Sequence, residues 1–180
     1  MNVYRDAYVS LSRGGRFYFD DVTVSTFSIE EIADALSKIC RFTGHTRRFY
    51  SVAEHSVLTS LIVPKAYAFE ALMHDAHEAF VGDVAAPLKS LLVDYQVVED
   101  RAAARVRKHF GLPAKTSQPV KRADLEMLAL EKRDLLPSAK EDWLCLEGIE
   151  PAQTTLLFCE PSNAHEIFLE RFQKLTAEAA

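Results

Sequence analysis

Three cysteines in 180 residues, Cys40, Cys145 and Cys159, are too few and too scattered for a disulfide framework, and no C-x-x-C pair marks a thiolate zinc site. Buried, reduced thiols in a cytoplasmic protein are the expectation. No apolar run approaches the roughly 18 residues needed to span a bilayer, and MNVYRDAYVSLSRGGRF at the start holds no signal-peptide core. Positive charge is not in excess. A net charge of −5 argues against a broad basic face for long nucleic acid. No internal repeat, low-complexity tract or linker divides the chain. With 48% hydrophobic and 26% charged residues, there is enough apolar material for one core and one globular domain.

Residues 14–27, GGRFYFDDVTVSTF, combine Gly-Gly with aromatic and β-branched residues and offer Asp20-Asp21 as a turn, which predicts a short hairpin. Every later signal is helical. Ser28 and Glu31 form an S-x-x-E capping box ahead of IADALSKIC, with Gly44 as the predicted stop. Ser51 and Glu54 repeat the device ahead of a helix reaching Val63. Pro64 separates that helix from one over residues 65–80, which Gly82 ends. A polar, periodic segment over 90–110 closes at Gly111 and Pro113, and a helix over 118–135 stops before Pro137. After a loop carrying Trp143, a last helix starts near Ser162. The predicted fold class is all-α with a small N-terminal β hairpin: an extension (1–27), a helical core (28–135), and a C-terminal loop and helix (136–180).

The run ALMHDAHEAFVGDVAAPLK, residues 71–89, loads titratable groups onto an apolar background. On a helix His74 and Asp75 each lie within about one turn of Glu78, so all three project to neighbouring parts of one face. Either that face is solvated, or it is buried and a bound cation offsets the high cost of desolvating carboxylates. Imidazole and carboxylate together suit Zn, Mn, Fe, Co or Mg, and the lack of a nearby cysteine speaks against a closed structural zinc. Neighbouring predicted helices extend the set. His55 lies in FYSVAEHSV between Val52, Ala53 and Leu58, and Asp124 leads the apolar face of VKRADLEMLAL.

A histidine, then an adjacent His-Asp pair, then a distant aspartate on successive helices resembles the HD-domain phosphohydrolase superfamily. AEHS at 53–56, HDAHEAFVGDVAAPLK at 74–89 and KRAD at 121–124 are similar to motifs of bacterial 5′-deoxynucleotidases and phage deoxynucleotide triphosphohydrolases, across residues 29–135. The resemblance implies an HD-type helical bundle in which His55, His74, Asp75 and Asp124 hold one divalent metal ion, with Glu78 and Asp83 as catalytic carboxylates. It implies attack of a metal-activated water on phosphorus, releasing phosphate from a monophosphate or triphosphate from a dNTP. Another phosphate ester, or a signalling nucleotide such as (p)ppGpp, is the alternative substrate. A non-catalytic nucleotide sensor is the alternative role, against which stands the retention of all six residues. The expected partner is a small nucleotide, with neither membrane nor long nucleic acid, and the segments 91–98 and 167–172 are candidates for self-association.

Arg41 and Phe42 fall where these nucleotidases carry an arginine followed by a tryptophan, which implies phosphate and base contacts. Phenylalanine keeps the stacking surface but lacks the indole N–H. Lys89, beyond Pro87, is placed either to neutralise a substrate phosphate or to lie exposed at a helix start. His77 forms H-x-x-H-E with His74, which fits no zincin pattern, so it is expected at a pocket edge or on the surface. His45, Arg47 and Arg48 form a small basic cluster near the site, with the arginines solvated by default. His109 and His165 read as structural or exposed, and Trp143 reads as a core anchor.

Overall fold

Glycine, not the Asp20-Asp21 pair, makes the N-terminal turn. In the computed structural model, which describes residues 6–136 and 140–178, strands β1 (Tyr8–Ser10) and β2 (Arg16–Tyr18) pair antiparallel with Val9 opposite Phe17. The hairpin predicted over 14–27 therefore lies earlier. At Gly15 a Cβ would stand 2.5 Å from the Thr26 carbonyl oxygen and 2.7 Å from the Glu31 carboxylate, so only glycine passes there. Asp21 instead caps a 3-10 turn, Val22–Val24, its carboxylate accepting from the Thr23 amide and hydroxyl.

Helix α1 (Ile29–Leu36) opens on the predicted Ser28–Glu31 capping box. Glu31 also accepts from the amides of Arg13 and Gly15, at 3.2 and 2.9 Å, and so ties the hairpin to the helix. The helix ends at Leu36 rather than continuing toward Gly44. Cys40 then bridges to Ser51, and Arg41–Gly44 form a 3-10 turn in which Phe42 and Thr43 both sit at φ 54°. That is the left-handed region, which residues with side chains occupy at a cost of roughly 1–3 kcal/mol each.

Ser51 caps α2 (Val52–Ile62) through the Glu54 amide at 3.2 Å, but no reciprocal capping box forms. The buried Glu54 carboxylate accepts instead from the amides of Leu157, Phe158 and Cys159, at 2.6, 2.9 and 2.8 Å. These charge-assisted bonds dock the segment that leads into α8 (Pro161–Ala177).

The predicted helix over 65–80 is interrupted. After α3 (Ala68–Leu72) the amides of Ala76 and Glu78 bond to carbonyls three residues back, on Met73 and Asp75, and α4 (Glu78–Val81) follows this tightened stretch. Gly82, at φ 82°, ends α4 as expected and turns the chain into Asp83. Three further helices follow: α5 (Ala86–Lys89), α6 (Val93–His109) and α7 (Gln118–Leu135). The last two match the segments predicted over 90–110 and 118–135, and Pro137, the predicted stop, lies outside the described residues.

The main core joins Ile32, Leu36, Val57, Leu72 and Phe168, and is extended toward the hairpin by Phe17, stacked on Phe80 at 4.1 Å. A second cluster, with Tyr50, Leu58, Met127 and Leu130, lies between α2 and α7. Phe168 is fully buried, and Ile167 and Phe172 pack against the core. That burial corrects the expectation that 167–172 is a surface for self-association. Leu91 and Val93 do face solvent, at 78% and 69% exposure. Cys145 is exposed, contrary to the expectation of buried thiols, and Cys40 and Cys159 are partly buried. Among the described residues no helix is long and apolar enough to cross a membrane.

Candidate metal centre

Helix α2, the tightened stretch after α3, and α7 bring His55, His74, Asp75 and Asp124 to one point. The His55 ring is fully buried, and its Nδ1 donates to Glu131 Oε1 at 2.6 Å. An ionised carboxylate only accepts, so the Nδ1 proton is fixed there and Nε2 faces the cluster. His74 is held the same way, its Nδ1 donating to the Ala71 carbonyl at 2.7 Å. The two Nε2 atoms then stand 3.4 Å apart. Asp124 Oδ1 lies 3.2 Å from His55 Nε2 and 3.8 Å from His74 Nε2, while Asp75 Oδ2 lies 3.1 Å from His74 Nε2 and 3.7 Å from that of His55. Ligand atoms of His55, His74 and Asp124 all fall within 4.8 Å of one another. The Asp124 side chain is 42% exposed, so the cluster opens to one side.

This donor set fits a divalent cation. Two imidazole lone pairs do not face each other at such a distance unless a proton or a cation lies between, and two nitrogens with two carboxylates and no thiolate suit Zn, Mn, Fe, Co or Mg. The electrostatics of the metal-free cluster agree. Burial and Arg41 lower the His55 pKa, but Glu131 and Asp124 outweigh them and raise it. Burial likewise lowers that of His74, and Asp75 and Asp124 lift it well above its ordinary value. Burial raises both aspartates, yet the histidines carry Asp124 well below the carboxylate range and Asp75 below it. Cation uptake would therefore have to displace any protons that these carboxylates hold on the imidazoles. Calorimetric titration of EDTA-treated protein with zinc, in two buffers of different ionisation enthalpy, should show release of about one proton or more per ion and tighter binding as pH rises. Equal heats in both buffers would show that the histidines hold no such protons.

Glu131 escaped the sequence reading. Its buried carboxylate also accepts from Nε and Nη2 of Arg41, at 3.0 and 2.9 Å, so one group orients a candidate ligand and holds an arginine. Burial raises the Glu131 pKa, but Arg41 and His55 together bring it below its ordinary value. A signal was present: Glu131 lies two turns beyond Asp124 on the same face, an isolated acid on a stripe with Met127, Leu128 and Leu135. Arg41, expected at a substrate phosphate, is thus engaged by Glu131, with Nη1 3.9 Å from Asp75.

Glu78 opens α4 and is buried, its Oε2 without a hydrogen-bond partner among the described residues. Burial, Asp75 and Asp83 push its pKa well above the ordinary range. Burial also raises Asp83, with Arg41 opposing and Asp75 adding. Two cavities meet beside these groups. One, of about 510 Å³, includes Arg41, Phe42, Asp83, Leu128 and Trp143 in its wall. The other, of about 610 Å³, includes His77, Glu99, Arg107, Lys115 and Lys121. Asp75, Glu78, Lys89 and Asp124 border both.

Lys89 Nζ donates to Glu99 Oε1 at 2.6 Å, so this lysine stands in the shared wall, paired with a buried glutamate that the sequence reading did not mark. His77 Nε2 lies 3.8 Å from the same carboxylate, at the cavity edge where it was expected. Trp143 is not a core anchor: it is half-buried and lines a cavity. His45, Arg47 and Arg48 are exposed, the Arg48 guanidinium 4.1 Å above the Phe158 ring.

No family model matches the chain. It is 46% identical over 171 residues to the uncharacterized protein YfdR of Escherichia coli K12, across 94% of this chain and 96% of that one. It is 36% identical over 165 residues to the uncharacterized protein RCAP_rcc00048 of Rhodobacter capsulatus, across 86% of this chain and 81% of that one.

Proposed function

The chain belongs to the family of YfdR from Escherichia coli, and we propose that it is a divalent-metal-dependent phosphohydrolase whose substrate is a deoxynucleotide. One observation carries this reading. Two buried imidazole nitrogens, 3.4 Å apart and each fixed from behind, cluster with two aspartates that, with the unpartnered buried carboxyl of Glu78, line the cleft above them. His55, His74, Asp75 and Asp124 would hold the ion. When bound, it supplies Lewis acidity toward a phosphoryl oxygen and lowers the pKa of a water in its shell.

The chain's own residues do the rest. Glu131 and the Ala71 carbonyl keep both Nε2 atoms turned toward Asp75 and Asp124. Glu78, its pKa pushed well above the ordinary range by burial and by its acidic neighbours, is suited to hold a proton and hand it to the leaving oxygen of a phosphate ester. Asp83 is the second carboxyl within the same cavity wall, its pKa raised by burial and Asp75 against the pull of Arg41, and it would take the other half of the proton exchange. Lys89 supplies positive charge between the two cavities for the phosphate. The deoxynucleotide rests on the likeness of residues 74–89 to the deoxynucleotidase motif, and each cavity has the volume expected of a small-molecule site.

The test is release of phosphate, triphosphate and nucleoside from dNMPs, dNTPs and (p)ppGpp, with Co, Mn, Mg or Zn, by wild type and Asp75→Ala. Metal-dependent release lost in the variant is expected, and the product identifies which phosphate bond is cut. Binding of metal and nucleotide without turnover of any substrate would replace the hydrolase with a non-catalytic sensor.

A further inference from the structure

We propose that Trp143 is the surface on which the planar base of the substrate stacks, so that it selects ligands carrying an aromatic heterocycle. The inference rests on the hydrolase reading only for the position of the reacting phosphate. Its own ground is the unlike chemistry of the two cavities that meet at Asp75, Glu78 and Asp124. Of the two, the larger alone holds Arg107, Lys115 and Lys121, set beside Glu99 and Asp100, and its apolar lining is limited to Ala103, Ala104 and Ala114. The smaller one holds both aromatic rings of the site, Phe42 and Trp143, with Val84, Pro87 and Leu128. A ligand with an anionic end and a flat, uncharged end is matched by that division, with its phosphate at the junction.

Trp143 is not needed by the fold in the way a core tryptophan would be. Neither buried hydrophobic cluster includes it. The ring is nevertheless held: Lys132 Nζ lies 5.2 Å over it and donates to the Glu141 carbonyl two residues before it. Phe42 stands 6.4 Å away at 44°, so the rings form a corner rather than a closed stack. The left-handed backbone at Phe42 and Thr43 is part of that placement, and strained backbone of this kind persists where surroundings over-determine it. Bases stack on aromatic side chains whatever their identity, because each has a π-face. The corner thus selects for the presence of a base without specifying which one.

The protein contains a single tryptophan beside six tyrosines, so fluorescence excited selectively at tryptophan reports on this wall alone. Full-length protein as purified would be titrated with the four deoxynucleoside monophosphates and triphosphates, and with deoxyribose 5-phosphate and tripolyphosphate, which have no base. Saturable quenching by the nucleotides and none by the base-free compounds is expected. Trp143→Ala should raise KM for the best nucleotide about tenfold, the size of one base-stacking contact, with kcat changed less than about threefold. Trp143→Phe should restore most of that loss, which separates stacking from any damage to the fold. Nucleotide turnover with silent fluorescence, or an unchanged KM in Trp143→Ala, would overturn the inference and leave the hydrolase standing. Saturable, base-dependent quenching with no phosphate released under any metal would support it while removing the catalytic reading.

Discussion

Glu131→Ala is expected to lower the melting temperature of the metal-free protein by about 10 °C or more. Removing one partner of a buried ion pair costs roughly 3–5 kcal/mol, and in a chain of this size each kcal/mol moves the midpoint by roughly 2–4 °C. Here the loss is doubled in kind, because the buried Arg41 guanidinium and the buried His55 ring both lose their acceptor. The pH dependence has a definite sign. The folded pKa of Glu131 lies below its ordinary value, so its stabilisation is present above the unfolded carboxylate range and is lost as pH falls through the lower folded value. Calorimetry in EDTA from acid to neutral pH should therefore show a shallower acid limb for the variant. A melting temperature within about 2 °C of wild type would mean that Arg41 and His55 find other partners and that Glu131 does not organise the site.

Glu78→Gln should combine lost activity with gained stability. Under the hydrolase reading it removes the proton donor while leaving every candidate metal ligand in place, so kcat should fall by about 10²–10⁴-fold with metal content unchanged. The stability effect runs the other way. A carboxyl whose pKa is raised in the folded protein favours the unfolded chain progressively as pH rises past the unfolded value, and a neutral amide escapes that penalty. The variant should therefore melt above wild type at neutral pH and converge with it in acid. Parallel loss of activity and of stability would indicate that the side chain is structural, and unchanged turnover would remove it from the chemistry.

The candidate ligands were legible because their spacing survives a change in local geometry. His74 and Asp75 were expected on a continuous helix with Glu78, and the helix is in fact broken after Leu72. The groups converge all the same, because the tightened stretch still returns the chain within each turn. What lay beyond reach was long-range pairing. Glu54 carries the sign of a capping box, but its carboxylate takes three amides from the far end of the chain, a better-satisfied arrangement than a single amide at Ser51. Arg41 and Lys89, expected at a substrate phosphate, also pair inside the protein with Glu131 and Glu99, partners far along the chain that spacing does not reveal. Trp143 was misread because one aromatic in a polar loop has no periodic neighbours to reveal which way it faces.

The amides that bond to Glu54 belong to residues 103 to 105 positions further along, and His55 is the next residue after that glutamate. A ribosome adding roughly 5–20 residues per second needs on the order of 5–20 seconds to pass from one to the other. Through that interval the acid is already synthesised and the amides that donate to it are not, so His55 emerges beside a carboxylate without its three donors. The docking of Glu54 beside the four-residue cluster is consequently a late event of chain growth. A cation taken up by that cluster would stabilise only the finished chain, so its supply would bear on how many completed chains stay folded as well as on how many are loaded.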